Sequence, residues 1–433
     1  MKNFRCIIVF LAFNSPFVCA TGGSAVITCY LYVDNSWEET QVVKNASTHQ
    51  IKESCPENVD QTKRIKLQGS AKILYQDSLK DISKLSKLEI VNVHVEEIQP
   101  GTFKDLPKFN TIDLSDNNLY EIKTGTFVNL EVVSLFMHRN LISVLHEGAF
   151  QNLSNVAQLT LERNRLHELK RGVFQNVTVG KFLLGKNNIS KIEIGAFADM
   201  FPYDEFGIGL FLTNNRFAEI DSSVFVCKGI GTLGLANNFI STLRPGDLRN
   251  LPNLYEIILT GNKIKKVPEG VFNGSKITDI ILGWNVISVI ESEAFRDMKH
   301  LQFVDVRHNK VKEWDSNWFR GAPSLIIIFS HNSLQTIPAE GFKNIPQNST
   351  LYLDHNCIKN ISDSAFNGIT ILQGLNLRSN ELEEWNVDLL KNVKIHDFDL
   401  TRNKIECPIG GPRSLAPKAD IVRVSACSEV EKK

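Results

Sequence analysis

Hydrophobic residues return along most of this chain in one fixed register. Two apolar residues stand two apart, an asparagine follows three residues later, and another apolar residue comes two after it. Ile112, Leu114, Asn117 and Leu119 form one copy; Ile257, Leu259, Asn262 and Ile264 another; Leu375, Leu377, Asn380 and Leu382 a third. The asparagine recurs at Asn117, Asn140, Asn164, Asn187, Asn215, Asn238, Asn262, Asn285, Asn309, Asn332, Asn356, Asn380 and Asn403. Of the twelve steps between these thirteen positions, eleven are 23 or 24 residues and one is 28, and chance does not hold one register across most of a chain. Leu88, Ile90 and Val95 repeat the pattern with Val93 in the asparagine's place, which makes a degenerate first copy and about fourteen in all.

Each unit has a second half. An apolar residue comes five after the asparagine and a phenylalanine usually ten after it, as in Ile122 with Phe127 or Val267 with Phe272; Leu248 and Leu390 replace the phenylalanine in two copies. The alternating segment around the paired apolar residues predicts a short strand with one buried face. One unit cannot bury that face alone, so the units must stack, with parallel strands on one side and a phenylalanine spine behind. The asparagine, where the chain leaves the strand, is predicted to satisfy backbone groups of neighbouring turns. Strands about 4.8 Å apart, with bulkier connections behind them, predict curvature with the strand side concave.

This pattern resembles the typical class of extracellular leucine-rich repeats over roughly residues 85–405, and is most similar to the secreted leucine-rich immune proteins of mosquitoes and related insect receptor ectodomains. It departs from them in lacking a C-terminal coiled coil and clustered cysteines. The resemblance implies a mostly-β α/β repeat: a curved, right-handed solenoid with a parallel concave sheet and disulfide caps. The expected organisation is a signal peptide over 1–20, an N-terminal cap over 21–84, the solenoid over 85–405, and a C-terminal cap and tail over 406–433.

A solenoid needs its ends covered. Two cysteines precede the repeats and two follow them. We expect Cys29 to pair with Cys55 and Cys407 with Cys427, the other reading being free buried thiols. Cys227 and Cys357 lie too far apart in the stack to bond each other. Each reads as a small filler or as an intermolecular link.

Processing signals place the chain outside the cell. Lys2 and Arg5 precede the apolar run Ile7–Phe13, and Val18-Cys19-Ala20 offers a cleavage point. No later segment has the apolar length of a membrane helix. Seven sequons, at Asn45, Asn152, Asn176, Asn188, Asn273, Asn348 and Asn360, fit passage through an oxidising secretory compartment. The formal net charge is +0, which gives no reason to expect a nucleic-acid partner.

Catalytic motifs are decoys. Gly180–Lys186 approximates a phosphate-binding loop but continues into Asn187 rather than Ser or Thr. Asp113-Ser115-Asn117 starts like a calcium loop but lacks its glycine and closing glutamate. His146-Glu147 and His167-Glu168 lack the second histidine of a zinc-protease helix. No enzyme activity and no cofactor are expected.

The strand side carries the informative residues. Phe136, Leu183, Phe211, Ile258, Ile281, Ile328 and Tyr352 occupy its middle place in different repeats, with Phe303 and Ile326 in a neighbouring column. They read either as residues that simply suit strands or as an apolar docking stripe. The place just before the asparagine carries Arg139, Arg163 and Lys186 in succession, and later Trp284, His308, His331 and His355. The basic run points to an acidic or anionic ligand. The histidine run is polar filler, a pH-sensitive contact or a weak metal site. The long step between Asn187 and Asn215 holds Phe201–Phe206, which is expected to bulge from the stack. Together these features predict a secreted, non-enzymatic protein that takes a protein or glycan ligand on its concave face, most simply in innate defence, the alternative being matrix or cell-surface adhesion.

Overall fold

The structure is a computed structural model and describes residues 26–33, 36–43, 64–68, 70–76, 79, 85–272, 276–406 and 410–424. The segment expected to be a signal peptide, the side chains of the four expected cap cysteines, and the sequons at Asn45 and Asn273 lie outside the described residues. The chain divides into two compact units. The first takes residues up to Arg216 together with Ser223–Thr232; the second takes Phe217–Ser222 and the residues from Leu233 onward.

The architecture is a mostly-β parallel solenoid of about 15 turns. In the first unit, strand Val26–Val33 pairs antiparallel with Ser36–Val43 on one side and Arg64–Gln68 on the other. From Arg64–Gln68 onward every step is parallel, through Lys87–Ile90, Phe109–Asp113, Phe127–Phe136, Phe150–Thr160, Phe174–Leu183 and Ile208–Phe211. The parallel stack therefore starts inside the stretch 21–84. In the second unit, Glu256–Ile258, Asp279–Ile281, Phe303–Asp305, Ile326–Ile328, Thr350–Tyr352, Ile371–Asn376, Lys394–Asp399 and Ala419–Arg423 pair in the same parallel sense. The last of these lies within 406–433. Helix is nearly absent: the described residues hold two four-residue 3-10 turns, Ser222–Phe225 and Pro412–Leu415.

The repeat's second half builds the rear of each unit. Residues five after the asparagine pair in two-residue ladders, such as Val144–Leu145 with Glu121–Ile122 and Lys266–Val267 with Val289–Ile290. Behind them the phenylalanines stack. Phe103, Phe127, Phe150 and Phe174 follow one another at 4.9, 5.2 and 5.2 Å between ring centroids, and Phe272, Phe295 and Phe319 at 5.8 and 5.3 Å. These spacings are those of parallel strands, so each ring buries its faces against its neighbours. Trp314 and Trp318 thicken the core beside Phe329, each donating its indole N–H to a backbone carbonyl, Gly341 at 2.7 Å and Ile290 at 3.2 Å.

The asparagine ladder closes the front of each turn. Asn262 Nδ2 donates to the carbonyls of Leu235 and Leu259, both at 2.9 Å, and its Oδ1 accepts the Ile240 N–H at 3.0 Å. Asn117 does the same for the degenerate turn before it, accepting from Val93 and Val95 N–H at 3.1 and 3.0 Å. That turn has valine at the ladder place, and its own backbone groups are met by the amide of Asn117, as in the turns that follow.

Candidate functional site

One backbone feature organises the sheet's outer edge. The residue before each ladder asparagine has a positive φ in every repeat: 57° at Asp116, 55° at Arg139 and Arg163, 54° at Lys186, 58° at Trp284, and 54–57° at His308, His331 and His355. This left-handed turn releases the chain from the strand so that the asparagine can point inward. Glycine and asparagine adopt it most cheaply, and Gly261, Asn214 and Asn237 use it so. A bulky side chain there costs on the order of 1 kcal/mol. The place tolerates many residue types, from Asp116 and Arg139 to Ser379, so the core does not dictate the tryptophan and histidines found there. Sequence periodicity located the column but not its conformation.

In the second unit this column becomes a stack of four rings. Trp284 lies 3.8 Å from His308, His308 4.2 Å from His331, and His331 4.2 Å from His355, with interplanar angles of 23°, 13° and 7°. Trp284 ends the stack and is 59% exposed. Burial within the stack holds the His331 imidazole below its ordinary value, reinforced by His308 and His355 and opposed by Asp354. Asp354 is the residue that sequence reading missed. It immediately precedes His355, and its Oδ1 accepts the Ser330 hydroxyl at 2.6 Å. One ligand atom from each of His331, Asp354 and His355 lies within 4.8 Å of the others.

The apolar stripe is interrupted. In the second unit's sheet the middle column runs in register Ile258, Ile281, Asp305, Ile328, Tyr352. Asp305 is buried and binds Arg307 Nε at 2.7 Å. Phe303 and Ile326 pair in the adjacent column. The middle-column isoleucines and Phe303 are half-buried, while Ile326 and Tyr352 are exposed. In the first unit the same column runs Asp113, Phe136, Thr160, Leu183, Phe211, so the large apolar residues there are also spaced by a small polar one.

The three residues of the basic column are paired unequally. Arg139 is not a free cation: its Nε and Nη2 hold both oxygens of Asp116, one turn earlier, at 2.5 and 2.6 Å. That pairing lowers the Asp116 carboxyl below its usual range. Arg163 and Lys186 are exposed and make no ion pair among the described residues. Next to Arg139, His138 Nδ1 is buried without a hydrogen-bond partner.

The insertion also differs from its expectation. Met200–Pro202 does not bulge but joins the sheet beside Val177–Val179. Only the segment after it projects, with Tyr203 and Phe206 exposed and Asp204 Oδ1 accepting the Phe206 N–H at 3.0 Å. The phosphate-loop decoy begins as strand, up to Leu183: Phe182 and Leu184 are buried and Asn187 is a ladder residue. Cys227 and Cys357 are half-buried free thiols, and burial pushes the Cys227 thiol up. Of the described sequons, Asn152, Asn176, Asn348 and Asn360 are exposed and Asn188 is half-buried. No described helix is long and apolar enough to cross a membrane.

Comparison with known proteins agrees with this geometry. A model described as leucine rich repeat matches residues 83–142 and 209–264, and one described as BspA type leucine rich repeat region matches residues 265–396 in six copies. No curated protein sequence matches the chain significantly. Among solved structures, a chain of the Toll–Spatzle complex of Drosophila, a hub in development and innate immunity, is 21% identical in its glycosylated form, with a TM-score of 0.52 over 76% of this chain and 46% of that one. Another structure of that complex gives 18%, 0.50, 76% and 52%. The chain thus spans about half the length of the Toll-complex chains it matches. A leucine-rich-repeat protein of Leptospira interrogans is 19% identical, with a TM-score of 0.50 over 82% of this chain and 93% of its own. These likenesses are likenesses of fold.

Proposed function

This chain is a leucine-rich-repeat protein, and from that premise we propose that it is a secreted recognition protein in innate defence, binding a protein or glycan ligand on the outer face of its sheet and catalysing nothing. One observation carries the reading. Trp284 is 59% exposed, in a backbone conformation that favours glycine or asparagine, at the end of an ordered ring stack. Every repeat uses this backbone conformation, so it is the exposure of a large aromatic there, and not the strain, that supports a binding role. Ile281, Phe303, Ile326 and Tyr352 lie on the same unit's sheet and supply apolar area around it. Such an aromatic anchor with a polar rim is the composition of a binding hot spot. The assembly of Toll with Spatzle in the related fold supports a protein ligand, and the exposed sequons support passage through a secretory pathway.

The test is capture from body fluid by the full glycosylated chain and by Trp284→Asn, a residue that the left-handed place accepts. A hot spot worth about 2 kcal/mol corresponds to roughly 30-fold in affinity, so the variant should lose the species that the parent retains. If both retain the same species in the same amount, the ligand docks elsewhere. Constitutive deposition around cells, without induction by infection, would turn the reading to adhesion.

A further inference from the structure

We propose that His331, Asp354 and His355 form a binding site for a divalent cation of the zinc class on the outer edge of the sheet. The three residues come from two successive turns, and one ligand atom of each lies within 4.8 Å of the others. The repeat itself makes the site. Matching backbone turns at 331 and 355, with φ of 57° and 54°, present two stacked imidazoles, 4.2 Å apart between centroids and 7° from parallel. Asp354 sits at the strand end between them in sequence, so its carboxylate is carried on the same turn as His355.

The donor set fits the metal. Two imidazole nitrogens and one carboxylate oxygen suit zinc and neighbouring first-row divalent ions, and suit magnesium or calcium poorly. Two bonds of about 2.1 Å at a tetrahedral angle span roughly 3.4 Å between nitrogens; each donor lone pair lies in its ring plane, so the two stacked rings turn by roughly 50–60° out of the stack for both nitrogens to point at one ion. A hydrogen bond from the Ser330 hydroxyl at 2.6 Å fixes one carboxylate oxygen, which orients the other, as outer partners do for metal-binding carboxylates. Three protein donors leave a fourth position for water or for an acceptor group of a bound ligand, on the same ring column as Trp284.

The inference stands apart from the proposed recognition role, because the cation is measured with no partner present. The full chain, prepared without a histidine tag and stripped with chelator, is titrated with zinc chloride by calorimetry; cobalt(II) absorbance then reports the coordination geometry. We expect one saturable site, weakened at least tenfold in each of His331→Gln, His355→Gln and Asp354→Asn, and unchanged in His300→Gln, an exposed histidine outside the cluster. Ser330→Ala should cost about tenfold. Thermal unfolding of each stripped variant, matched to the parent, excludes a folding defect. The proposal is overturned if zinc shows no saturable binding, or if the His331→Gln/His355→Gln double variant binds it as tightly as the parent.

Discussion

Asn262 illustrates how much one side chain does here. Its amide pairs three backbone groups of two turns in a place that water does not reach. Asn262→Ala leaves them unpaired, and chemical denaturation should show a loss of about 1–3 kcal/mol; an unchanged midpoint would contradict the ladder. His138 makes a pH-dependent contribution. Burial, helped by Arg139, lowers its imidazole below 6.5, against the opposing pull of Asp113, Asp116 and Glu162. The unfolded chain therefore takes up the proton first. Stability should fall as pH drops through the ordinary histidine range and level off below the depressed folded value. Melting temperatures at about pH 7.5 and about pH 5.5 should differ less in His138→Phe than in the parent, and equal differences would discard the claim. Charge at the neighbouring column is unequal for a stated reason: Arg139 is neutralised by Asp116, whereas Arg163 and Lys186 are not paired in this way. Serine at both of the latter should therefore flatten the salt dependence of ligand capture more than Arg139→Ser does.

At the scale of the element, the phenylalanine spine binds turn to turn. Phe150 is sandwiched between Phe127 and Phe174, each 5.2 Å away, and is fully buried. Removing it leaves a cavity that two rigid rings cannot fill, so Phe150→Ala should cost about 3–5 kcal/mol. The same truncation at Phe136, half-buried on the sheet's outer face, should cost far less; comparable losses at both would show that the spine is not the core. Strand, ladder and spine come from separate positions of one repeat, and each finds its partner in the adjacent turn. The phenylalanine and asparagine spacings were legible in sequence for that reason: a side chain that must meet its copy every turn has to recur with the turn.

For the whole molecule, nearest-neighbour bonding makes stability close to a sum of local terms. Asn262 and Phe150 share no bonded partner and lie in different units. Their losses should add to within about 0.5 kcal/mol in the double variant; a large coupling energy would reveal cooperativity beyond neighbouring turns.

The amino-acid sequence by itself determined the register, the parallel sheet and the buried ladder, because each is a one-dimensional period that stacking copies without change; it read about fourteen copies where the solenoid has about 15 turns, since the parallel strands Arg64–Gln68 and Ala419–Arg423 lie beyond the asparagine register. It also located the columns of the outer face. How the residues in those columns pair and stack became clear only in three dimensions. The left-handed backbone at the place before the asparagine leaves no compositional trace, since Asp116, Arg139, Trp284 and His308 all adopt it. The clasp between Arg139 and Asp116 and the approach of Asp354 to His331 each join residues about one repeat apart. Periodicity says that such residues are neighbours; only the folded side chains decide whether they pair, stack or leave a place for a ligand.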